Sequence, residues 1–247
     1  MLTLKGLSRA AFGRPVALWR TLAAVASAGA LAACQYAGPP EDPAGRSLTW
    51  FSYLGGEDIE KRCGPGAEDV FRFVYNGLAD VQIRSYNVTM LPGGRGASVN
   101  AFAIPEPTVN RLKSIGEIVK GYNGVRAQAP MAVQGLAELR AALRDDRFET
   151  FKPVGLRLPS DEFYWTAVAC VGGRFHANAW LYPTDRYREL KFPAILQAHD
   201  RTGVAVYEAR PENMRPDDPN RFRTSGPSGA YNMQLGPRGF VGIKGLF

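Results

Sequence analysis

Histidine is almost missing from this chain: His176 and His199 are the two it has in 247 residues. A histidine-based metal site would therefore need carboxylates from unrelated segments. A serine hydrolase needs a nucleophile held by backbone geometry, usually in Gly-x-Ser-x-Gly, and that pattern is absent. Ser225-Gly226-Pro227-Ser228-Gly229 comes nearest and reads as a turn. Gly93-Gly94-Arg95-Gly96 lacks both the Lys-Ser/Thr pair of a phosphate loop and the glycine spacing of a dinucleotide fold. No run of five basic residues, internal repeat or second domain boundary is visible. Cysteine is scarce: Cys34, Cys63 and Cys170. The apolar stretch near the N-terminus, 21–33, would rise about 20 Å as a helix, short of a ~30 Å hydrocarbon core.

What is present begins with that stretch. Residues 1–20 hold Lys5, Arg9, Arg14 and Arg20 and no acidic residue, and 21–33 are uncharged and small or apolar. A basic region, a short apolar region and small residues before a cut site make a secretory signal. The segment closes on Leu31-Ala32-Ala33-Cys34, which resembles the lipobox of bacterial lipoproteins. The resemblance covers the first 34 residues. It implies a signal peptide over 1–33, cut before Cys34, with Cys34 thioether-linked to diacylglycerol and its new amine acylated, as by palmitate. A thiolate is the best side-chain nucleophile for that alkylation. One acyl chain holds a protein only marginally, while two or three hold it durably. In enterobacterial lipoproteins an Asp after the cysteine favours the inner membrane. Residue 35 is Gln, so the resemblance points to the outer membrane rather than the inner, with the domain facing the periplasm.

Four of the 30 basic residues lie in the signal, which leaves 26 against 23 acidic ones, a net charge of +3. That is ordinary for a soluble surface and argues against a dedicated nucleic-acid binder. Removing 33 of 247 residues leaves 214, enough for one core. Cys63 and Cys170 remain, and an even pair in an exported chain favours a disulfide. A loop of just over 100 residues gives that bridge about 4–5 kcal/mol at most.

The expected organisation is a lipidated cysteine and Pro-rich tether over 34–47, a globular α+β domain over 48–210, and an irregular Pro/Gly-rich tail over 211–247. The domain should be an antiparallel sheet of about five or six strands with one main helix packed on it. Aromatic-rich 49–54 reads as a first strand, followed by a helical turn over 57–62. Alternation over 70–88 reads as a hairpin around Asn76-Gly77. A three-residue loop would place Phe73 opposite Val81 and Phe71 opposite Ile83, giving one wholly apolar face. Residues 97–104 read as a third strand. Residues 105–131 are ambiguous, with Leu112, Ile115 and Ile118 or Val119 at helical spacing but Gly116 and Gly121 against it. Leu136, Leu139 and Leu143 mark a helix over 131–148. A second hairpin over 163–181 turns on Gly172-Gly173, pairing Cys170 with Phe175, Val168 with Ala177 and Thr166 with Ala179. A helical turn over 185–190 and a turn at 200–203 before apolar 204–207 complete the domain.

The opposite face of the second hairpin carries Trp165, His176, Asn178 and Trp180. Two indoles could stack on a flat ligand such as a glycan, with His and Asn supplying hydrogen bonds; the same pattern also fits a sheet face packed under the helix. A hydrolase using His176 or His199, the latter beside Asp200, is a weaker reading. The alternating C-terminus over 239–247 resembles the closing strand of outer-membrane barrels, but the chain lacks the repeated alternating segments of a barrel. The favoured expectation is a membrane-anchored envelope lipoprotein with a non-enzymatic binding or assembly role and an envelope protein as partner. No metal or other cofactor is implied.

Overall fold

The computed structural model describes residues 52–79, 81–105, 124–214 and 232–244. The expected signal, Cys34, the tether, the start of the 49–54 segment, the ambiguous spacing at 112–119 and the turn at 225–229 lie outside the described residues.

Six strands form the main sheet: β1 (Val70–Gly77), β2 (Gln82–Met90), β3 (Ala97–Pro105), β4 (Val125–Met131), β6 (Phe163–Val171) and β7 (Arg174–Leu181). Their order is β4-β3-β2-β1-β6-β7, with every neighbouring pair antiparallel. Helices α2 (Val133–Asp145) and α4 (Phe192–Ala198) cover one face. The other face is covered by α1 (Glu57–Glu60), the helical residues just before it, and a second sheet of order β5-β8-β9. That sheet comprises β5 (Arg157–Pro159), β8 (Asn232–Leu235) and β9 (Phe240–Lys244), and the short α3 (Asp185–Arg188) follows β7. The fold is therefore α+β, as the alternation and the leucine spacing predict. Among the described residues no helix is long and apolar enough to cross a membrane.

Helix α2 forms because its apolar residues recur at three and four. It buries Leu139, Ala142 and Leu143 against Phe71, Phe73, Val88 and Val99 of the sheet. Each leucine taken from water contributes about 1.5–3 kcal/mol. Truncating Leu139 to Ala would open a cavity costing about 2–5 kcal/mol.

The sheet is covered on both sides, so β1 and β6 are buried almost throughout. Polar residues on these strands must find partners inside. Arg72 pairs with Asp58 of α1 at 2.7 Å, donates to the Tyr53 carbonyl at 2.9 Å and lies over the Tyr53 ring at 4.0 Å. Asn76 donates to the carbonyls of Ser160 and Glu162.

The Cys63–Cys170 disulfide is formed, with Cα atoms 5.5 Å apart and 107 residues between them in sequence. It ties the loop after α1 to the end of β6. The tip of the second hairpin packs against the same loop: a Cβ on Gly173 would meet the Gly64 carbonyl oxygen at 2.5 Å. Gly172 and Gly173 both have positive φ, which a two-residue hairpin turn requires. The register is as the alternation predicts, with Cys170 opposite Phe175, Val168 opposite Ala177 and Thr166 opposite Ala179.

Three expectations are corrected. The first hairpin turns through Leu78–Val81, four residues, with Gly77 opposite Gln82, Phe73 opposite Tyr86 and Phe71 opposite Val88. Leu78 adopts φ 64°, and its carbonyl accepts from the backbone N–H groups of Val81 and Gln82. The shorter loop kept Gln82 and Arg84 off the core face; the structure places them on it and satisfies them there. Residues 52–55 are helical rather than extended, because Tyr53 and Leu54 are neighbours that both bury on the sheet, which a strand's alternation forbids. The tail is not irregular throughout. Met233 and Leu235 bury against the back of the sheet, and the backbone N–H of Gly236 bonds the Gly239 carbonyl to turn β8 into β9. Within the ambiguous 105–131, residues Val125–Met131 are an edge strand.

Candidate functional site

Alternation along β6 and β7 puts Trp165, His176, Asn178 and Trp180 on one face, and the helix layer covers it. Trp165 and Trp180 are 3% and 1% exposed. The Phe192 ring of α4 meets them edge-on at 5.3 Å and tilted at 5.1 Å. Neither indole offers a free surface for stacking, so the expected ligand face is corrected to a packed core face. Asn178 is fully buried and holds a turn: its amide donates to the carbonyls of Phe148 at 2.8 Å and Phe151 at 2.6 Å, and its own oxygen accepts from the Ala179 N–H. His176 sits apart from the tryptophan surfaces at the outer end of β7, 3.9 Å from the Glu149 carboxylate. Burial lowers its pKa from the ordinary value against the opposing pull of Glu149.

His199 places Nδ1 3.0 Å from the Ile195 carbonyl. Its neighbour Asp200 turns elsewhere. The Asp200 carboxylate takes Arg84 at 2.5 Å, the Tyr86 hydroxyl at 2.8 Å, and the N–H and hydroxyl of Thr202 at 2.8 and 2.6 Å. Burial alone would raise its pKa, but the bonds from Thr202 and Tyr86 and the Arg84 charge outweigh it and hold the carboxyl below its usual value. Arg84 also donates to the carbonyls of Val204 and Ala205 and to the Gln82 side chain. Gln82 in turn donates to the Ala205 carbonyl and accepts from the Tyr207 N–H. The 200–207 segment is bound to the sheet by side chains that take the place of a partner strand. This is a structural lock, and it leaves His199 without an acid partner in Asp200.

A cleft of about 410 Å³ opens where α2 ends, lined by Asp145, Asp146, Arg147, Arg186, Glu189 and Lys191. Asn178 builds one wall by fixing the 147–151 turn. Thr184 builds another by capping α3, accepting from the Tyr187 N–H. Asp146 accepts from the Lys191 and Phe192 N–H groups at 3.1 Å and so caps α4. Burial raises its pKa against those bonds. Asp145 and Lys191 pair at 2.6 Å on the exposed rim. Arg186 is half-buried, its guanidinium 4.8 Å above the Phe151 ring and 5.5 Å above Trp180, with one N–H on the Ala179 carbonyl at 3.1 Å. Burial lowers its pKa, and the nearby Arg147 lowers it further. Arg147 follows α2 at φ 56° with its side chain exposed.

Reading the sequence for catalytic motifs misses this cleft, because six charged residues on helix ends look like an ordinary solvated surface. The one local signal is the crowding of Asp145-Asp146-Arg147 at the end of a leucine-marked helix. Guanidiniums do not give up a proton near neutral pH, so Arg147 and Arg186 can bind an anion but not transfer a proton to it. Among the described residues no group of three or more His, Cys, Asp and Glu side chains is placed to hold a metal ion. No protein-family model, curated protein or solved structure matches the chain.

Proposed function

We propose that this chain is a lipid-anchored lipoprotein of the bacterial cell envelope with a non-enzymatic binding or assembly role. The observation that carries the reading is the partition of its three cysteines. Cys63 and Cys170 are bonded to each other, and Cys34 stands at the end of an export-type segment in the order Leu-Ala-Ala-Cys. Structural disulfides belong to oxidising compartments, which supports export. Cys34 is then the thiol left for the lipid. The Pro-rich stretch after Cys34 would set the domain off from the bilayer, facing the periplasm, with the outer membrane as its site. A three-layer core in which Arg72, Arg84, Asn178 and Asp200 are engaged in structural bonds suits a scaffold that presents its surface to an envelope protein.

Metabolic labelling with an alkyne fatty acid tests the anchor. The wild-type chain should incorporate label into a form shortened by the signal, and Cys34→Ala should incorporate none and remain full length. Label retained in the variant would refute the proposal. Cross-linking in intact cells then tests the role: a stoichiometric envelope protein should be captured by the wild type and lost in Cys34→Ala.

A further inference from the structure

We propose that the cleft at the end of α2 binds a small phosphate-bearing anion between the guanidiniums of Arg147 and Arg186.

Arg186 is the first reason. Its cation is partly withdrawn from water, yet it forms no ion pair with a carboxylate among the described residues; its partners are a carbonyl, the Asn178 oxygen at 3.4 Å and two aromatic faces. A half-buried cation that no carboxylate touches is costly, and Asp146 offsets that cost only from beyond ion-pair distance. The carboxylates nearest in the cleft are occupied, since Asp146 is held by the N-terminus of α4 and Asp145 by Lys191.

Arg147 is the second reason. It lines the same cleft, close enough to Arg186 for the two cations to disfavour each other. The left-handed backbone at Arg147 is fixed from both sides: its N–H bonds the Arg144 carbonyl, and the Phe148 N–H bonds the Leu143 carbonyl. Two like charges held at one cleft are relieved by an anion between them. A carboxylate is satisfied by a single guanidinium fork, whereas a phosphate carries enough oxygens to accept from two forks at once. The volume of about 410 Å³ suits a small ligand, and the exposed Glu189 carboxylate on the rim opposes large polyanions.

The shared chemistry is a phosphate group, either the free ion or an ester such as a lipid head group. The test is a titration of the purified full chain in dodecyl maltoside at fixed ionic strength. Inorganic phosphate and glycerol 3-phosphate are added in separate series, followed by tryptophan fluorescence, since Arg186 lies over Trp180. A saturable change is expected with at least one of them. Arg147→Gln, at an exposed position, should weaken binding at least tenfold, and Glu189→Gln should tighten it severalfold. Tighter binding of glycerol 3-phosphate identifies an esterified phosphate, and equal or tighter binding of the inorganic ion identifies the free one. No saturable change with either ligand, or equal affinity in wild type and Arg147→Gln, overturns the proposal. If Arg147→Gln does not fold, Glu189→Gln decides, and unchanged affinity there counts against it. The titration does not depend on Cys34, so its failure would leave the anchor reading standing.

Discussion

Two hairpins of the main sheet, β1–β2 and β6–β7, fix their register by different means. β6 and β7 turn on Gly172-Gly173, where positive φ is free of Cβ strain, and a disulfide and the Gly64 loop clamp the tip. β1 and β2 turn through Leu78–Val81, with a leucine in the left-handed region. Their register is held from a distance. Arg84 is 1% exposed, and its partners Asp200, Val204 and Ala205 lie more than 115 residues further along the chain. One hairpin is specified by its own turn, and the other by a buried ion pair that the rest of the chain must deliver.

Breaking the distant lock should have the largest effect. Asp200→Ala leaves the Arg84 cation buried with carbonyls alone, and such unpaired charges cost about 3–5 kcal/mol. Urea unfolding should show that loss, and amide exchange should rise first in β2. If the pair acts as a lock rather than as net stabilisation, Arg84→Met with Asp200→Leu should recover most of the stability.

Opening the local clamp comes next. Cys63→Ser with Cys170→Ser frees a loop of 107 residues and should cost about 2–5 kcal/mol, with β1–β2 exchange little changed. A variant as stable as the wild type would show that the clamp is dispensable. Gly173→Ala tests the turn itself. It combines positive φ with a Cβ forced against the Gly64 carbonyl and should cost more than about 1 kcal/mol. Gly172 has open space around its missing Cβ, so Gly172→Asn should be nearly neutral in thermal melts.

The smallest effects are in pH. Asp200 has a lowered folded pKa, so its stabilisation is present above the unfolded value near 3.8 and is lost as pH falls through the lower folded value. His176 also has a lowered folded pKa. The unfolded chain therefore binds its proton first, and stability falls as pH drops below about 6.5. Melts between pH 7 and 5 should show a shallow slope that His176→Gln flattens, while Asp200→Asn changes the slope below pH 5. A slope unchanged in His176→Gln would contradict the assignment.

The hairpins also show what kind of information each part of the chain carries. Trp165, His176, Asn178 and Trp180 share a face because alternation is a property of the backbone, and two glycines define where it reverses. Their burial is a different matter: Phe192, 12 residues beyond Trp180, decides it by packing on both indoles. The Arg147 and Arg186 cleft was not legible, because the residues lie in two segments that meet only when Asn178 and Asp146 pin the 147–151 turn and the start of α4.

Local chemistry by itself determined the α+β class, the leucine face of α2, the turn and register of the second hairpin, and the pairing of the two cysteines that remain beyond Cys34. Each follows from periodicity, from the conformational freedom of glycine or from counting thiols, and needs no knowledge of distant partners. Only the tertiary structure decided the register of the first hairpin, the helical course of 52–55, the strands in the tail and the burial of the tryptophan face. In each of these, groups far apart in sequence replace water around a side chain, polar at Arg84, aromatic at Tyr53 and Trp180, aliphatic at Met233 and Leu235. The rule that polar residues avoid the core holds only until Asp200, Val204 and Ala205 arrive to satisfy Arg84.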